Sequence, residues 1–164
     1  MNLFTGESAD EFFGGDVPAT VRQILHRAAQ APRTEVGSLL WTAQLVAPDG
    51  LPVYYALYKH HASQREWTWA ERAARRGLVE AARQAGLPAD EWQVQPGHPA
   101  ATFRDNGPAR FWLFTLKALA FLALRQQRLS EARELLAHIQ RLDPEARIGD
   151  DVIASLLRSM GPDL

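Results

Sequence analysis

The chain has 164 residues and a mass of 18.3 kDa; it is 46% hydrophobic and 23% charged, enough for one packed domain and incompatible with wholesale disorder. Its 18 basic and 19 acidic side chains leave a net charge of -1, without the basic surplus that a dedicated nucleic-acid binder needs for phosphate contacts. The absence of cysteine excludes disulfide scaffolds, thiolate metal sites, iron–sulfur clusters and cysteine catalysis together.

Residues 1–16 carry Glu7, Asp10, Glu11 and Asp16, no basic side chain, and the pairs Phe12-Phe13 and Gly14-Gly15, which reads as a mobile acidic tail. The first helix is expected from Val17, with Asp16 as N-cap, Pro18 in the first turn, and Val21, Ile24, Leu25 and Ala28 on one face. Ala31-Pro32 stops it. A second helix from about Thr34 carries Val36, Leu39, Leu40, Ala43 and Val46 and ends at Pro48-Asp49-Gly50. The third opens at Leu51-Pro52 and runs through His61. The fourth starts between Ser63 and Glu66, turns Trp67, Ala70, Ala73, Ala74, Leu78 and Ala81 inward, and stops at Gly86-Leu87-Pro88. Residues 87–108 hold four prolines and no sustained period, a connection longer than most in compact domains. Helix five, Phe111 to Leu124, is apolar all round and therefore central. Helix six spans Glu131 to Leu142 and stops at Asp143-Pro144, and a seventh places Val152, Ile153, Leu156, Leu157 and Met160 on one face. No segment alternates as a strand does, so the fold class is all-α.

No stretch reaches the about 18 uninterrupted apolar residues of a membrane span, and Met1 to Asp16 lacks the basic start and apolar run of a secretory leader; a cytoplasmic protein is expected. Only Lys59 and Lys117 among the basic residues are lysines, and alanine is abundant, a usage common in GC-rich bacterial genomes.

Motifs for catalysis or cofactor binding are missing. There is no G-x-S-x-G, no phosphate-binding G-x4-G-K-[ST] and no G-x-G-x2-G, so neither an enzyme nor a cofactor is expected. His60-His61 are adjacent and read as pointing to different helix faces, while His26, His98 and His138 lack an H-x3-H partner; packing is the better role for His61 than metal ligation. Glu131 and Glu134 suit the start of a helix, and Glu91 is a loop acid without an evident partner. Arg65, Arg72, Arg75, Arg76 and Arg83 interleave with Glu66, Glu71 and Glu80, which reads as a solvated, salt-bridged face rather than an RNA-binding one.

A repeat organises the helices. Leu116-x2-Leu119-Ala120-x2-Ala123, Ala132-x3-Leu136 and Pro144 share a frame with Tyr54-x2-Leu57-Tyr58-x2-His61 and Ala70-x3-Ala74, and more faintly with Val36-x3-Leu40 and Pro48. The text LKALAFLALRQQRLSEARELLAHIQRLDP resembles the tetratricopeptide repeat family. The resemblance implies a right-handed superhelix of antiparallel helix pairs, about seven helices in all. Its repeats would cover 17–50, 51–108 with an insertion at 87–108, and 109–147, with a capping helix at 148–160 closing the 17–164 domain.

In that family the first helix of each pair lines a concave groove that recognises extended peptides or helices. Carried onto this chain, the groove is lined by Tyr55, Lys59, Phe114, Lys117, Phe121 and Arg125, with Val21, Leu25, Ala62 and Leu124 along the same row. The asparagines of the chaperone-binding carboxylate clamp are absent from these helices. The implied function is a non-catalytic adaptor or assembly factor for an acidic or extended protein segment, with no nucleic-acid or membrane partner. The alternatives are a subunit whose apolar surface forms a homodimer, and a helical enzyme or metal-binding domain.

In the repeat phase, Ala132 is the small residue at which the last helix pair approaches closely, while Ala137 lies further out. Ala132→Leu should overpack that pair and cost roughly 1–3 kcal/mol, with a much smaller cost for Ala137→Leu. Urea denaturation of the two variants checks the phase, and equal midpoints would refute it.

Overall fold

A computed structural model describes residues 17–104 and 107–145, so the expected tail at 1–16, its Asp16 cap and the expected helix at 148–160 lie outside the described residues. Among these residues there are six α-helices and no strand: α1 Ala19–Gln30, α2 Arg33–Val46, α3 Leu51–Ser63, α4 Trp67–Ala85, α5 Gly107–Arg125 and α6 Leu129–Leu142. Each helix packs on the next in sequence, and α3 also touches α5. The short connections make neighbours antiparallel.

Pro18 and Pro32 stand at the N-cap positions of α1 and α2, and neither helix has a capping side-chain hydrogen bond. The inward face of α2 is Leu40, Ala43, Gln44 and Ala47, so Val46, expected inside, is half exposed. Ala47 lies one turn beyond Ala43 and takes the place that Val46 misses by a single residue's rotation. Gln44 is buried with its amide donating to the Tyr54 hydroxyl at 3.2 Å, and that hydroxyl donates to the Pro48 carbonyl at 2.5 Å.

α4 presents a face of small residues, Ala70, Ala73, Ala74, Gly77, Ala81 and Ala82, all buried. At Gly77 an added Cβ would lie 2.9 Å from the Tyr54 Cβ and 3.2 Å from the Phe111 ring. The opposite solution is used by α5, where large side chains from Phe111 to Leu124 are buried. Among the described residues, α5 alone is long and apolar enough to cross a membrane, but 72% of that window is covered by the protein, as befits the helix at the centre of the core. Ala132 of α6 is fully buried against Ala123 and Leu124, while Ala137 is exposed.

The α3–α4 and α5–α6 turns are built alike. Arg65 and Gln127 both take left-handed backbone, at φ 59° and 61°. In each turn the preceding helix closes through the same two bonds: Arg65 N–H to the Ala62 carbonyl and Glu66 N–H to His61, then Gln127 N–H to Leu124 and Arg128 N–H to Ala123. These are Schellman closures, which ordinarily hold glycine at the left-handed position.

The segment after α4 is structured by contacts that lack a sequence period. Leu87 and Val94 are buried, and Asp90 caps a short 3-10 turn at Glu91–Gln93. Phe103 stacks on Trp112 at 6.0 Å, and Arg110 donates to the carbonyls of Phe103 and Arg104. Glu91 does have a partner: it accepts from Arg75 of α4 at 2.8 Å, while its carbonyl accepts from His138 of α6 at 2.8 Å. The segment thus ties α4 to α6.

Arg75 also reaches Glu131 at 3.2 Å and Glu71 at 3.9 Å; Arg128 holds Glu71 at 2.7 Å and Glu131 at 2.5 Å. Burial alone would raise the Glu71 carboxyl, but hydrogen bonds from Gln126 and Arg128 and the charges of Arg128 and Arg75 hold it below the ordinary 4.5.

A carboxylate whose folded-state pKa is depressed stabilises fully above its unfolded value and loses that contribution as pH falls through the lowered one. Stability should therefore drop on acidification below 4.5, and Glu71→Gln should make that drop shallower in denaturation midpoints measured against pH. For the two turns, Arg65→Gly and Gln127→Gly should each raise stability by about 1 kcal/mol by removing the left-handed penalty of a side chain, as read by urea denaturation.

Candidate functional site

Tyr55 and Phe114 bring α3 and α5 together, with ring centroids 5.9 Å apart and both rings buried. Tyr58 meets Tyr55 edge-on at 5.5 Å and lies 3.4 Å, oxygen to oxygen, from the Thr115 hydroxyl. Burial pushes the Tyr58 phenol far above its ordinary 10.0, so it stays protonated as a hydrogen-bonding group. One turn after Tyr55, the Lys59 ammonium stands 5.5 Å above the Tyr55 ring, and partial burial lowers its pKa from 10.5. Two turns after Phe114, Phe121 meets Trp67 edge-on at 6.5 Å, and the Arg125 guanidinium covers Trp67 at 5.1 Å.

The row read from the sequence therefore divides. Tyr55, Phe114 and Lys59 form one group, and Phe121 and Arg125 join Trp67 in another. Lys117 belongs to neither as an exposed cation: it is only 2% exposed, and its ammonium lies 3.2 Å from Asp143 at the end of α6. Its spacing matches Phe114 and Phe121, but α5 is enclosed on nearly every side, so a charge there must be compensated from within. The Asp143-Pro144 stop, read from the sequence only as a helix end, supplies the acid.

A second cluster spans α2, α3 and α4. Trp41 contacts His61 and Trp69 at 6.1 and 6.0 Å, and His61 stacks on Trp69 at 6.0 Å. Arg72 covers Trp69 at 4.8 Å, and Arg76 covers Trp41 at 5.5 Å. The rings of His60 and His61 lie 5.1 Å apart, closer than opposite helix faces permit. Burial, then His61 and Arg33, lower the His60 pKa below 6.5 against the opposing charge of Glu66.

The ligand atoms of His60, His61 and Glu66 all lie within 4.8 Å of one another, a spacing a metal could bridge. An indole N–H can only donate, so the Trp41 bond of 3.1 Å makes His61 Nε2 the acceptor. Nδ1 of the same ring lies 3.3 Å from Glu66 Oε1, so both nitrogens of this buried ring have partners within the protein.

The charged face expected on α4 is mixed. Arg75 and Arg83 form ion pairs, whereas Arg72 and Arg76 lie on indole rings. Trp69, Arg72, Arg76 and Val79, spaced by three and four residues, carried the signal: an aromatic ring and a valine on an otherwise polar stripe.

No protein-family model and no solved structure matches the chain. It is 30% identical over 158 residues to an uncharacterized 19.8 kDa protein in the nifW 5′ region of Azotobacter chroococcum mcd 1, an alignment spanning 96% of this chain and 89% of that protein. At that identity and coverage, the chain belongs to the same family as the Azotobacter protein.

Proposed function

We propose that this protein is a non-catalytic adaptor or assembly factor, a tetratricopeptide-like array in the cytoplasm that holds an acidic, extended protein segment along its α3–α5 face. The carrying observation is that Lys59 of α3 stands over Tyr55 and Arg125 of α5 stands over Trp67 at the start of α4, each cation seated on an aromatic ring. A cation held over an indole or phenol ring is partly ordered before binding, which lowers the entropic cost of meeting a carboxylate-bearing partner. The matching turns at Arg65 and Gln127 support the repeat reading, with pairs α1–α2, α3–α4 and α5–α6 as the three units.

The relative's name places it in the 5′ region of nifW, which makes the nifW product a concrete first partner to test. Titration calorimetry with that protein should show binding that weakens as salt rises. Lys59→Glu combined with Arg125→Glu should abolish it and change stability by only about ±0.5 kcal/mol. Lys117→Glu is the wrong probe, since it would bury a second acid beside Asp143 and destabilise the fold. Retained binding in the double variant would move the site off this face; no binding by the wild type would remove the nifW product as the partner.

A further inference from the structure

We propose that the α2–α4 face is a second docking surface, independent of the α3–α5 face, and that its occupant is an acidic amphipathic helix of a partner protein. Of the five large apolar side chains exposed among the described residues, three lie here: Leu45 at the end of α2, and Trp69 and Val79 on α4. Leu45 is 78% exposed and Val79 57%, values unusual for branched side chains that share a face with tryptophans.

The helices run side by side in the same direction. Trp41 of α2 touches Trp69 and Arg76 of α4, and further along both chains Gln84 donates to the Asp49 carbonyl at 2.7 Å. His61 of α3 lies between them, its ring held by Trp41. The exposed strip between α2 and α4 is the channel proposed for the partner helix.

Charge specifies the occupant. On α4, Arg75 and Arg83 are paired with carboxylates, but among the described residues no carboxylate pairs with Arg72 or Arg76. Their guanidinium groups rest on Trp69 and Trp41 at 4.8 and 5.5 Å, ordered by the rings with N–H edges left for an external acceptor. Arg72 and Arg76 are one turn apart, so their Cβ atoms are separated by about 5–6 Å, the spacing of two glutamates one turn apart on a docked helix. Leu45 and Val79 continue the channel by another turn, in register with apolar residues on such a helix. Tryptophan and arginine at the centre of an apolar patch are also the composition of interface hot spots.

Two other occupants fit less well. In a symmetric pairing of two copies, the same patch meets itself and Arg72 and Arg76 would face their own equivalents. A nucleic-acid strand would bring phosphates to the arginines but no aliphatic side chains to the exposed Leu45 and Val79.

The probe is a labelled synthetic peptide helix with leucines one turn apart and glutamates between them, compared with a peptide of the same composition in scrambled order. Fluorescence anisotropy measures affinity, and the indole N–H resonances of the full chain report location. The expected result is salt-sensitive binding that shifts the Trp41 and Trp69 resonances and leaves Trp67 in place. Arg72→Glu with Arg76→Glu should weaken binding about tenfold or more. Val79→Asp, an exposed change on the same stripe, should also weaken it, with helical circular dichroism unchanged. Shifts on Trp41 and Trp69 with Trp67 unmoved separate this result from any binding on the α3–α5 face, where Trp67 lies under Arg125.

The proposal is overturned if the scrambled peptide binds equally, if the shifts fall on Trp67, or if the Arg72/Arg76 reversal binds undiminished. A dimer in light scattering that Val79→Asp dissolves would assign the face to a second copy, and an oligonucleotide that competes the peptide off would assign it to nucleic acid.

Discussion

The close contact of α4 with α3 and α5 governs the rest of the molecule. It exists because α4 offers alanines and Gly77 where a helix ordinarily offers leucines, letting its backbone approach Tyr54 and Phe111 to van der Waals distance. The large residues of α5 and the aromatic residues of α3 then fill the volume that α4 leaves. Only with the helices drawn together in this way do Tyr55 and Phe114 meet, and only then does the rim carry cations seated on rings. A bulkier α4 would separate the helices whose proximity assembles both candidate faces.

Much of the helical plan was legible because its punctuation is local. Pro32, Pro48, Gly86 and Pro144 mark breaks within a residue or two of the observed helix ends, and the apolar surround of Phe111 to Leu124 announced the central helix. The small-residue spacing at Ala120 and Ala132 likewise marked positions that are buried. The less legible features depend on distant residues. Lys117 is compensated by Asp143, on a different helix; Glu91 is engaged by Arg75 and His138 from two helices; and Val94 is a lone buried valine in a segment without a period.

The Trp41–His61–Trp69 cluster shows the same limit on functional reading. Each member occupies a different helix, and no periodicity test compares positions on three helices at once. Proximity also mattered more than residue type at the histidines. Their adjacency in the chain favoured packing for His61, and its contacts with Trp41, Trp69 and Glu66 come from three different places in the sequence. On the tyrosine-lined row, read from the sequence as one groove, Lys59 does lie over Tyr55, but Phe121 and Arg125 meet Trp67 instead, and the burial of Lys117 required knowing where α6 ends.

The two left-handed turns bear on what selects the shape of the chain. A turn with glycine or Asn-Gly has a local preference for reversal and can start a helical hairpin unaided. Arg65 and Gln127 have no such preference, yet both turns adopt the same closure. Their geometry is therefore imposed by docking of the helices they connect. Each reversal is stabilised by the apolar faces of the two helices it joins rather than by the preference of its own residues. Helix packing, not turn chemistry, then selects the hairpin geometry.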